Sequence, residues 1–223
     1  MNDTLIHKAH AISSSQMSKY KDFSSDSCKL TEAGEEFWTG KDVARLPAVY
    51  YFKEYIKKHG LAANKLLTFG GKDDIETKLI PHEKAVHCDY WIDKNHDVED
   101  LQLEESDFDF CLINQAFEHL TDINISIKNI KDHLSVGGYL SANFPVVNIP
   151  HGFPYNFSTG VTTTYINYLC LQNNLEIIEC GAWGNTDYIN FIFRELTWPD
   201  YTQIDLRNNI DTPCIGWILA KKK

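Results

Sequence analysis

The stretch KLLTFGGKDDIETKLIPHEKAVHCDYWIDKNHDVEDLQLEESDFDFCLINQAFEHL, from Lys65 to Leu120, decides the fold. It contains four short apolar runs, which end at Gly70-Gly71, at Asp89, near Val98 and at Asn114, and helix-like segments lie among them. Apolar runs that alternate with helices predict a parallel sheet with crossover helices. In such a sheet ligands bind outside the carboxyl ends of the strands. The residues that follow each run are therefore the first candidates for a binding site.

Composition narrows the class of protein. The 223 residues carry a formal net charge of −10, from 21 basic and 31 acidic side chains. A net-negative surface disfavours nucleic acid and anionic membranes as main partners. There is no apolar leader and no apolar run of about 18 residues, so we expect neither a standard secretion signal nor a membrane span. The six cysteines form no C-x-x-C pair, which favours reduced core residues and a cytoplasmic protein.

The chain divides into a lead-in and one domain. Residues 1–30 are polar and serine-rich with few large apolar residues, so we expect a flexible N-terminal segment. Residues 31–223 have the length of a single α/β domain. The oligomeric state is not predicted.

The corner after the first run, FGGKDD, permits two interpretations. Gly70 and Gly71 could form a simple tight turn, or they could let the backbone approach a ligand closely. The spacing G-x-G-x-x-G is absent, and Asp73-Asp74 would repel a pyrophosphate. Acidic residues at this corner suit a ligand with positive charge.

Asp89 follows the second run, about twenty residues after the glycines. A carboxylate at this position can accept hydrogen bonds from the vicinal hydroxyls of a ribose. The alternative is a surface aspartate at a strand end. Asp93 takes the ribose role if the strand runs longer.

Further elements follow from spacing and from turn residues. The sequence predicts a helix that opens at Gln115 and stops at Gly137-Gly138, a helix over residues 165–173, and strands over residues 139–144, 175–180 and 214–220. Between them lies a loop, residues 146–157, that contains three aromatic residues and His151. Loops that leave the carboxyl end of a sheet often carry function.

The segments FDFCLINQAFEHL and HLSVGGYLSANFP resemble the second half of the class I S-adenosylmethionine (SAM)-dependent methyltransferase core. LLTFGG, the acid of CDY and DVEDL stand in the order of that family's earlier motifs, so the resemblance covers about Lys65 to Asn185. The first motif departs from the family, which usually has an acid and a G-x-G pattern where this chain has Thr68 and FGGKD. The ending Trp183-Gly184-Asn185 resembles methyltransferases of bacterial and viral polysaccharide clusters.

The resemblance implies a Rossmann-like α/β fold: a seven-stranded, mostly parallel sheet with helices on both faces and an antiparallel last strand. It also implies SAM as the cofactor. The residues that would hold SAM are Gly70 and Gly71 at the methionine part and ribose, Asp89 at the ribose hydroxyls, Tyr90, Val98 and Glu99 beside the adenine, and Asn114, Gln115 and Ala116 beneath the sulfonium.

A hydroxyl acceptor needs a general base within hydrogen-bond reach. His151 is the first candidate and His119 the second, and each could instead be a structural histidine. Glu118 is a third possibility. The sequence shows no Asp/His cluster with metal-ligand spacing, so a metal-dependent route is disfavoured and no metal ligand is predicted.

Three hypotheses for function follow. The leading one is a SAM-dependent O-methyltransferase that acts on a sugar or glycan hydroxyl, with methylation of another small molecule as its variant. The second is a non-catalytic binding module on the same fold, which the FGGKD departure motivates. The third is a nicotinamide-dependent oxidoreductase, which the missing dinucleotide glycine spacing disfavours.

Overall fold

The protein is seen here in a computed structural model that describes residues 2–21, 43–70 and 74–223. Its described strands form one sheet in the order β2-β1-β3-β4-β6-β5. The strands are β1 (Ala63–Phe69), β2 (His82–Cys88), β3 (Phe108–Asn114), β4 (Leu134–Pro145), β5 (Leu175–Trp183) and β6 (Ile215–Lys222). The pairs among β1 to β4 are parallel, whereas β6 runs antiparallel to both of its neighbours. The Rossmann-like α/β class and the antiparallel last strand are confirmed.

Six α-helices accompany the sheet in the described ranges. They are α1 (Asp3–Met17), α2 (Arg45–His59), α3 (Ile75–Leu79), α4 (Ile123–His133), α5 (Thr163–Gln172) and α6 (Thr186–Glu195). Gly60 ends α2 in the left-handed conformation, which glycine adopts without strain.

Strand β3 is buried on both faces and separates two cores. Phe110 and Leu112 belong to the core that also contains residues of α2 and α6, while Cys111 and Ile113 belong to the core that contains residues of α4 and α5. This alternation follows from the two-residue period of a strand. A central parallel strand covered on both faces has no polar side, which explains the continuous apolar run FCLI.

The prediction of seven strands is wrong for the described residues, which form six. The missing strand is the one expected near Val98. There Asp93 and Asp97 accept hydrogen bonds from the backbone N–H groups of Asn95 and Glu99, and a 3-10 turn covers Lys94–His96. Short acidic side chains that bind nearby N–H groups compete with strand pairing.

The helix after β3 begins later than predicted. Residues Phe117–His119 form a single 3-10 turn, and α4 starts at Ile123 because the Asp122 side chain caps it by accepting from Ile125 N at 3.0 Å. The helix also ends earlier, since β4 already begins at Leu134 and runs through the two glycines.

The N-terminal segment differs from the flexible lead-in expected for residues 1–30. Residues Asp3–Met17 form α1, which packs against α5 and β5. Ala9 and Ser13 are buried there, and the Ser13 hydroxyl accepts a hydrogen bond from Asn167 Nδ2 at 2.9 Å. The helix packs through small residues, so large apolar residues do not recur at helical spacing in its sequence. This is why the helix was not expected from the sequence. Residues 22–30 lie outside the described residues, so the proposed domain start near residue 31 stays a prediction.

None of the helices in the described ranges is both long and apolar enough to cross a membrane. The five described cysteines are free and buried, and Cys28 lies outside the described residues.

Candidate active site

A cavity of about 620 Å³ lies at the carboxyl ends of β1, β2 and β3. The chain passes from β1 outward to β2 and then returns to β3 on the other side of β1, so this edge is the topological switch point of the sheet. The cavity is lined by residues that follow these strands, by the segment His96–Glu99, by Ala116, His119, Leu120 and Thr121 after β3, and by Gly152, Tyr155 and Phe157 of the loop after β4.

The structure brings every described candidate for cofactor binding to this one cavity. These residues are Gly70, Asp89, Tyr90, Val98, Glu99, Asn114, Gln115 and Ala116. Gly71 lies outside the described residues. Gly70 has φ +153°, and a Cβ atom there would lie 2.6 Å from Asp74 Oδ2, so only glycine fits this corner without a shift.

Asp89, and not Asp93, lies on the cavity wall. Asp89 Oδ1 accepts a hydrogen bond from Trp91 N at 2.8 Å, and its backbone N–H donates to His96 Nδ1 at 3.2 Å. These bonds fix the carboxylate at the end of β2. Asp93 is absent from the lining, and its side chain caps the 3-10 turn by accepting from Asn95 N at 2.9 Å.

Glu99 lines the cavity, but its carboxylate is hydrogen-bonded within the protein. It accepts hydrogen bonds from Thr121 N at 2.9 Å, from the Thr121 hydroxyl and from Asp122 N at 2.7 Å, which ties it to the start of α4. The Val98 carbonyl accepts from Asn129 Nδ2 at 3.0 Å. The roles of Val98 and Glu99 beside the adenine stay predictions. Asp97 lines the same wall and is an acid that the sequence reasoning missed, and its carboxylate accepts from Glu99 N at 2.9 Å.

The floor of the cavity rests on a buried polar network. Glu76, which is fully buried, accepts from Arg45 at 3.1 and 3.2 Å and from Asn143 Nδ2 at 2.8 Å. Asn143 Nδ2 also donates to Asn114 Oδ1 at 2.8 Å, and Gln115 Nε2 donates to Asn143 Oδ1 at 2.7 Å. The network thus holds the side chains of the two floor residues from α2, α3 and β4.

Gln115 adopts the left-handed region with φ +50°. Such a conformation in a residue other than glycine is strained, and strain of this kind concentrates at functional sites. Its backbone N–H donates to Asn143 O at 2.8 Å, which helps to hold it.

Asp74 begins α3 beside this network. Burial raises the pKa of Asp74, the nearby Glu76 carboxylate raises it as well, and Arg45 and Lys78 act in the opposite direction, with a net result of about 6 for this pKa. When the pKa of an acid is higher in the folded than in the unfolded protein, the protein loses folding stability as pH rises from the unfolded-state pKa through the folded-state pKa. The reason is that the folded state must then bury the negative charge.

Asp74→Asn is therefore expected to stabilise the protein at pH 7.5 and to have no effect near pH 3.5, where the native carboxyl is protonated in both states. Thermal unfolding of both proteins across this pH range checks it. An exposed acid on β2, changed in Glu83→Gln, should show no comparable pH-dependent difference. A variant that is less stable than the native protein at pH 7.5 would contradict the expectation.

Next to the cavity, His119 and His151 both approach the buried carboxylate of Glu118. Glu118 Oε1 lies 3.9 Å from His119 Nε2 and 3.8 Å from His151 Nε2. The Glu118 side chain is 1% exposed, against 28% and 25% for the two imidazoles. His119 lines the cavity, whereas His151 lies behind it, with ring centroids 4.9 Å apart. We call these three residues the Glu-His-His cluster.

The loop after β4 is fixed against the cluster. His119 Nδ1 bonds Tyr155 O at 2.8 Å, and the N–H groups of Phe157 and Ser158 donate to Glu118 O at 2.9 and 3.2 Å. Gly152 has φ +66°, and a Cβ atom there would lie 2.8 Å from His119 Cε1, so glycine permits this close approach.

Sequence spacing alone could not show the cluster, because His151 lies on a different loop from the Glu118-His119 pair. The three ligand atoms come within 4.8 Å of one another in the structure, which is compatible with a shared metal ion. This finding changes the sequence-based expectation that no metal ligands are present. Cys88 also lines the cavity, but burial raises its thiol pKa to about 12, so it is a neutral wall residue.

Comparisons with known proteins agree with this geometry. Residues 74–142 match the family described as methyltransferase domain. No curated protein matches the chain in sequence.

Several solved structures share the fold. One is the 1,6-didemethyltoxoflavin-N1-methyltransferase of Burkholderia thailandensis with bound 1,6-didemethyltoxoflavin and S-adenosylhomocysteine, at 14% identity and a TM-score of 0.52, covering 89% of this chain and 86% of that one. Another, assigned provisionally as a sarcosine dimethylglycine methyltransferase, comes from Galdieria sulphuraria, at 12% identity and a TM-score of 0.53, covering 80% and 86%. TehB of Haemophilus influenzae matches at 17% identity and a TM-score of 0.46, covering 78% of this chain, which spans 62% of the length of TehB.

Identities this low show a shared fold and no more, while the family match rests on the sequence of residues 74–142. That segment contains Asp89, Val98, Glu99 and Asn114 to Ala116, and so most of the cavity wall. Residues 74–142 are thus similar to a methyltransferase domain, and the fold is shared with solved methyltransferase structures.

Proposed function

We propose that this protein transfers a methyl group from SAM to a hydroxyl of a sugar or glycan. The observation that carries the proposal is the convergence of the cofactor candidates on one cavity, whose lining also includes His119 of the Glu-His-His cluster. The match of residues 74–142 to a methyltransferase domain supports the reaction class and indicates SAM as the cofactor.

The cavity suits SAM in its chemistry. Asp89, Asp97 and Glu99 place acidic groups around it, which favours a cationic ligand that also offers hydroxyl donors. Asn114 Nδ2 is a buried donor on the floor without a hydrogen-bond partner in the described ranges, and an acceptor on a ligand would satisfy it. When bound, SAM supplies a methyl group activated by its sulfonium. The chain's own task is then to position the acceptor and to remove its proton.

Asp89→Ala is expected to weaken SAM binding by about 1.5–3 kcal/mol, because it removes a charged acceptor of hydrogen bonds. Isothermal titration calorimetry measures this. Asp93→Ala is the matched control, because this acid lies four residues away and outside the cavity, and it should leave the affinity near the native value. If Asp93→Ala instead produced the loss, the ribose role would belong to Asp93.

His119 in the cavity lining, with Glu118 and His151 beside it, provides the groups that would remove the proton of the acceptor. His119 and His151 lie at the Glu118 carboxylate, so an imidazole Nε2 can take the proton of a hydroxyl placed between the cluster and the cavity. Trp91, Tyr155 and Phe157 also line the cavity, and Trp91 and Phe157 are 68% and 53% exposed. Exposed aromatic faces next to polar groups suit the apolar face of a sugar ring, which supports the glycan acceptor.

Two measurements test the function. Calorimetry with SAM tests cofactor binding, and an assay for methylated product with sugars, phenols, amines and peptides tests the acceptor. We expect SAM binding and a methylated sugar hydroxyl. Product on an amine or a phenol alone would replace the glycan proposal by methylation of another small molecule, and failure to bind SAM at millimolar concentration would favour the non-catalytic binding module.

A further inference from the structure

We infer that the Glu-His-His cluster binds a divalent transition-metal cation through Glu118, His119 and His151. The imidazole Nε2 atoms lie 3.9 and 3.8 Å from Glu118 Oε1, which is too long for a hydrogen bond. Metal bonds to histidine nitrogen and carboxylate oxygen are about 2.0–2.2 Å long. Two ligands of one ion can therefore lie up to about 4 Å apart, so the observed separations fit a shared ion better than direct contacts.

The orientation of both rings is a second and independent observation. His119 Nδ1 lies 2.8 Å from Tyr155 O, and His151 Nδ1 lies 2.9 Å from Ile149 O. A backbone carbonyl can only accept, so each Nδ1 carries the proton and donates it. In the neutral imidazole this leaves the lone pair on Nε2, directed to the carboxylate side. Metal-binding histidines use this arrangement, in which a carbonyl partner fixes the tautomer and the ring plane.

Rigid support continues behind His151. The ring contacts Trp198 edge to face at 5.3 Å, and Trp198 Nε1 donates to Asn148 Oδ1 at 2.8 Å. Asn148 Oδ1 also accepts from Ile149 N at 2.9 Å, which fixes the residue whose carbonyl holds His151. His151, the ligand on the loop, is thus supported by a ring contact and by hydrogen bonds that fix its neighbours.

Burial and charge favour a cation at this point. The Glu118 side chain is 1% exposed, and a cation beside a buried carboxylate lowers the cost of burying its charge. Two imidazoles and one carboxylate form a mixed nitrogen and oxygen set, which suits first-row transition-metal ions better than Mg²⁺ or Ca²⁺, because these prefer oxygen ligands alone.

The site would complete the acceptor end of the cavity. Three protein ligands leave coordination positions open, and the partly exposed side of His119 faces the cavity. An acceptor hydroxyl bound there would lose its proton more easily, because a divalent cation stabilises the resulting oxyanion. This role rests on the proposed function, whereas binding of the cation does not.

Co²⁺ binding to the full-length, tag-free protein tests the inference, with calorimetry for stoichiometry and visible absorption for coordination. We expect one Co²⁺ per chain. Removing a group that only supports a metal ligand typically lowers metal affinity by about 10- to 100-fold. His151→Ala and His119→Ala each remove a ligand itself, so each should lower the affinity for Co²⁺ by more than that. Glu118→Gln keeps the shape of the side chain and should do the same.

His133→Ala is the matched control. Its Nδ1 also bonds a backbone carbonyl, Asn129 O at 2.8 Å, but His133 belongs to no metal-compatible group within the described ranges. It should bind Co²⁺ like the native protein. The inference is overturned if the native protein binds no stoichiometric Co²⁺, or if Co²⁺ binding is unchanged in both histidine variants. If Glu118→Gln fails to fold, the two histidine variants still test the inference.

SAM calorimetry on the metal-free protein separates this inference from the proposed function. Loss of SAM binding with intact Co²⁺ binding would remove the methyltransferase proposal alone. Intact SAM binding and turnover without any bound Co²⁺ would remove the cation site alone.

Discussion

His151→Ala is expected to lower kcat by about 10²–10⁴ while SAM affinity stays near the native value. The reason is position, because His151 meets Glu118 and His119 but is not among the residues that line the cavity with Asp89 and the other cofactor candidates. Steady-state kinetics on the acceptor found by the substrate assay, together with SAM calorimetry, measures the two quantities separately.

Two comparisons sharpen this result. His133→Ala should leave kcat unchanged, since that histidine lies at the end of α4 outside the cavity. His119→Ala should reproduce the loss if the two imidazoles act on the same acceptor proton or share one cation. Full activity in both His151→Ala and His119→Ala would remove the histidines from catalysis and leave proton removal to another group, such as the Glu118 carboxylate.

Glu76→Ala is expected to lower the free energy of unfolding by about 3–5 kcal/mol, the cost of removing one partner of a buried ion pair. The carboxylate is fully buried and joins Arg45 of α2 to Asn143 of β4, so its loss removes one acceptor from each of these two side chains. Urea unfolding measures the change. The floor residues Asn114 and Gln115 depend on Asn143, so SAM affinity should also fall.

Glu83→Ala provides the matched control on the neighbouring strand. Glu83 is an exposed acid in β2, and surface substitutions usually change stability by less than about 0.5 kcal/mol. If Glu76→Ala cost no more than this control, the buried network would not hold the cavity floor.

Much of the fold follows from local pattern. The run FCLI predicts a central strand because a strand covered on both faces can have no polar side. Asp89 could be placed at the cavity because an acid directly after a parallel strand lies at the ligand-binding edge. Where local polar bonds capture the backbone, as at Asp93 and Asp97, the expected strand does not form.

The sequence by itself determined the α/β class and the edge of the sheet where the cavity lies, because these depend on the period and the order of neighbouring residues. Only the tertiary structure decided which polar side chains meet. Glu76 reaches Asn143 because the parallel register pairs Asn114 with Asn143, and His151 reaches Glu118 because Gly152 lets the loop approach His119. These two contacts join residues 67 and 33 positions apart, and their geometry is fixed by strand register and by loop docking, which no local spacing encodes.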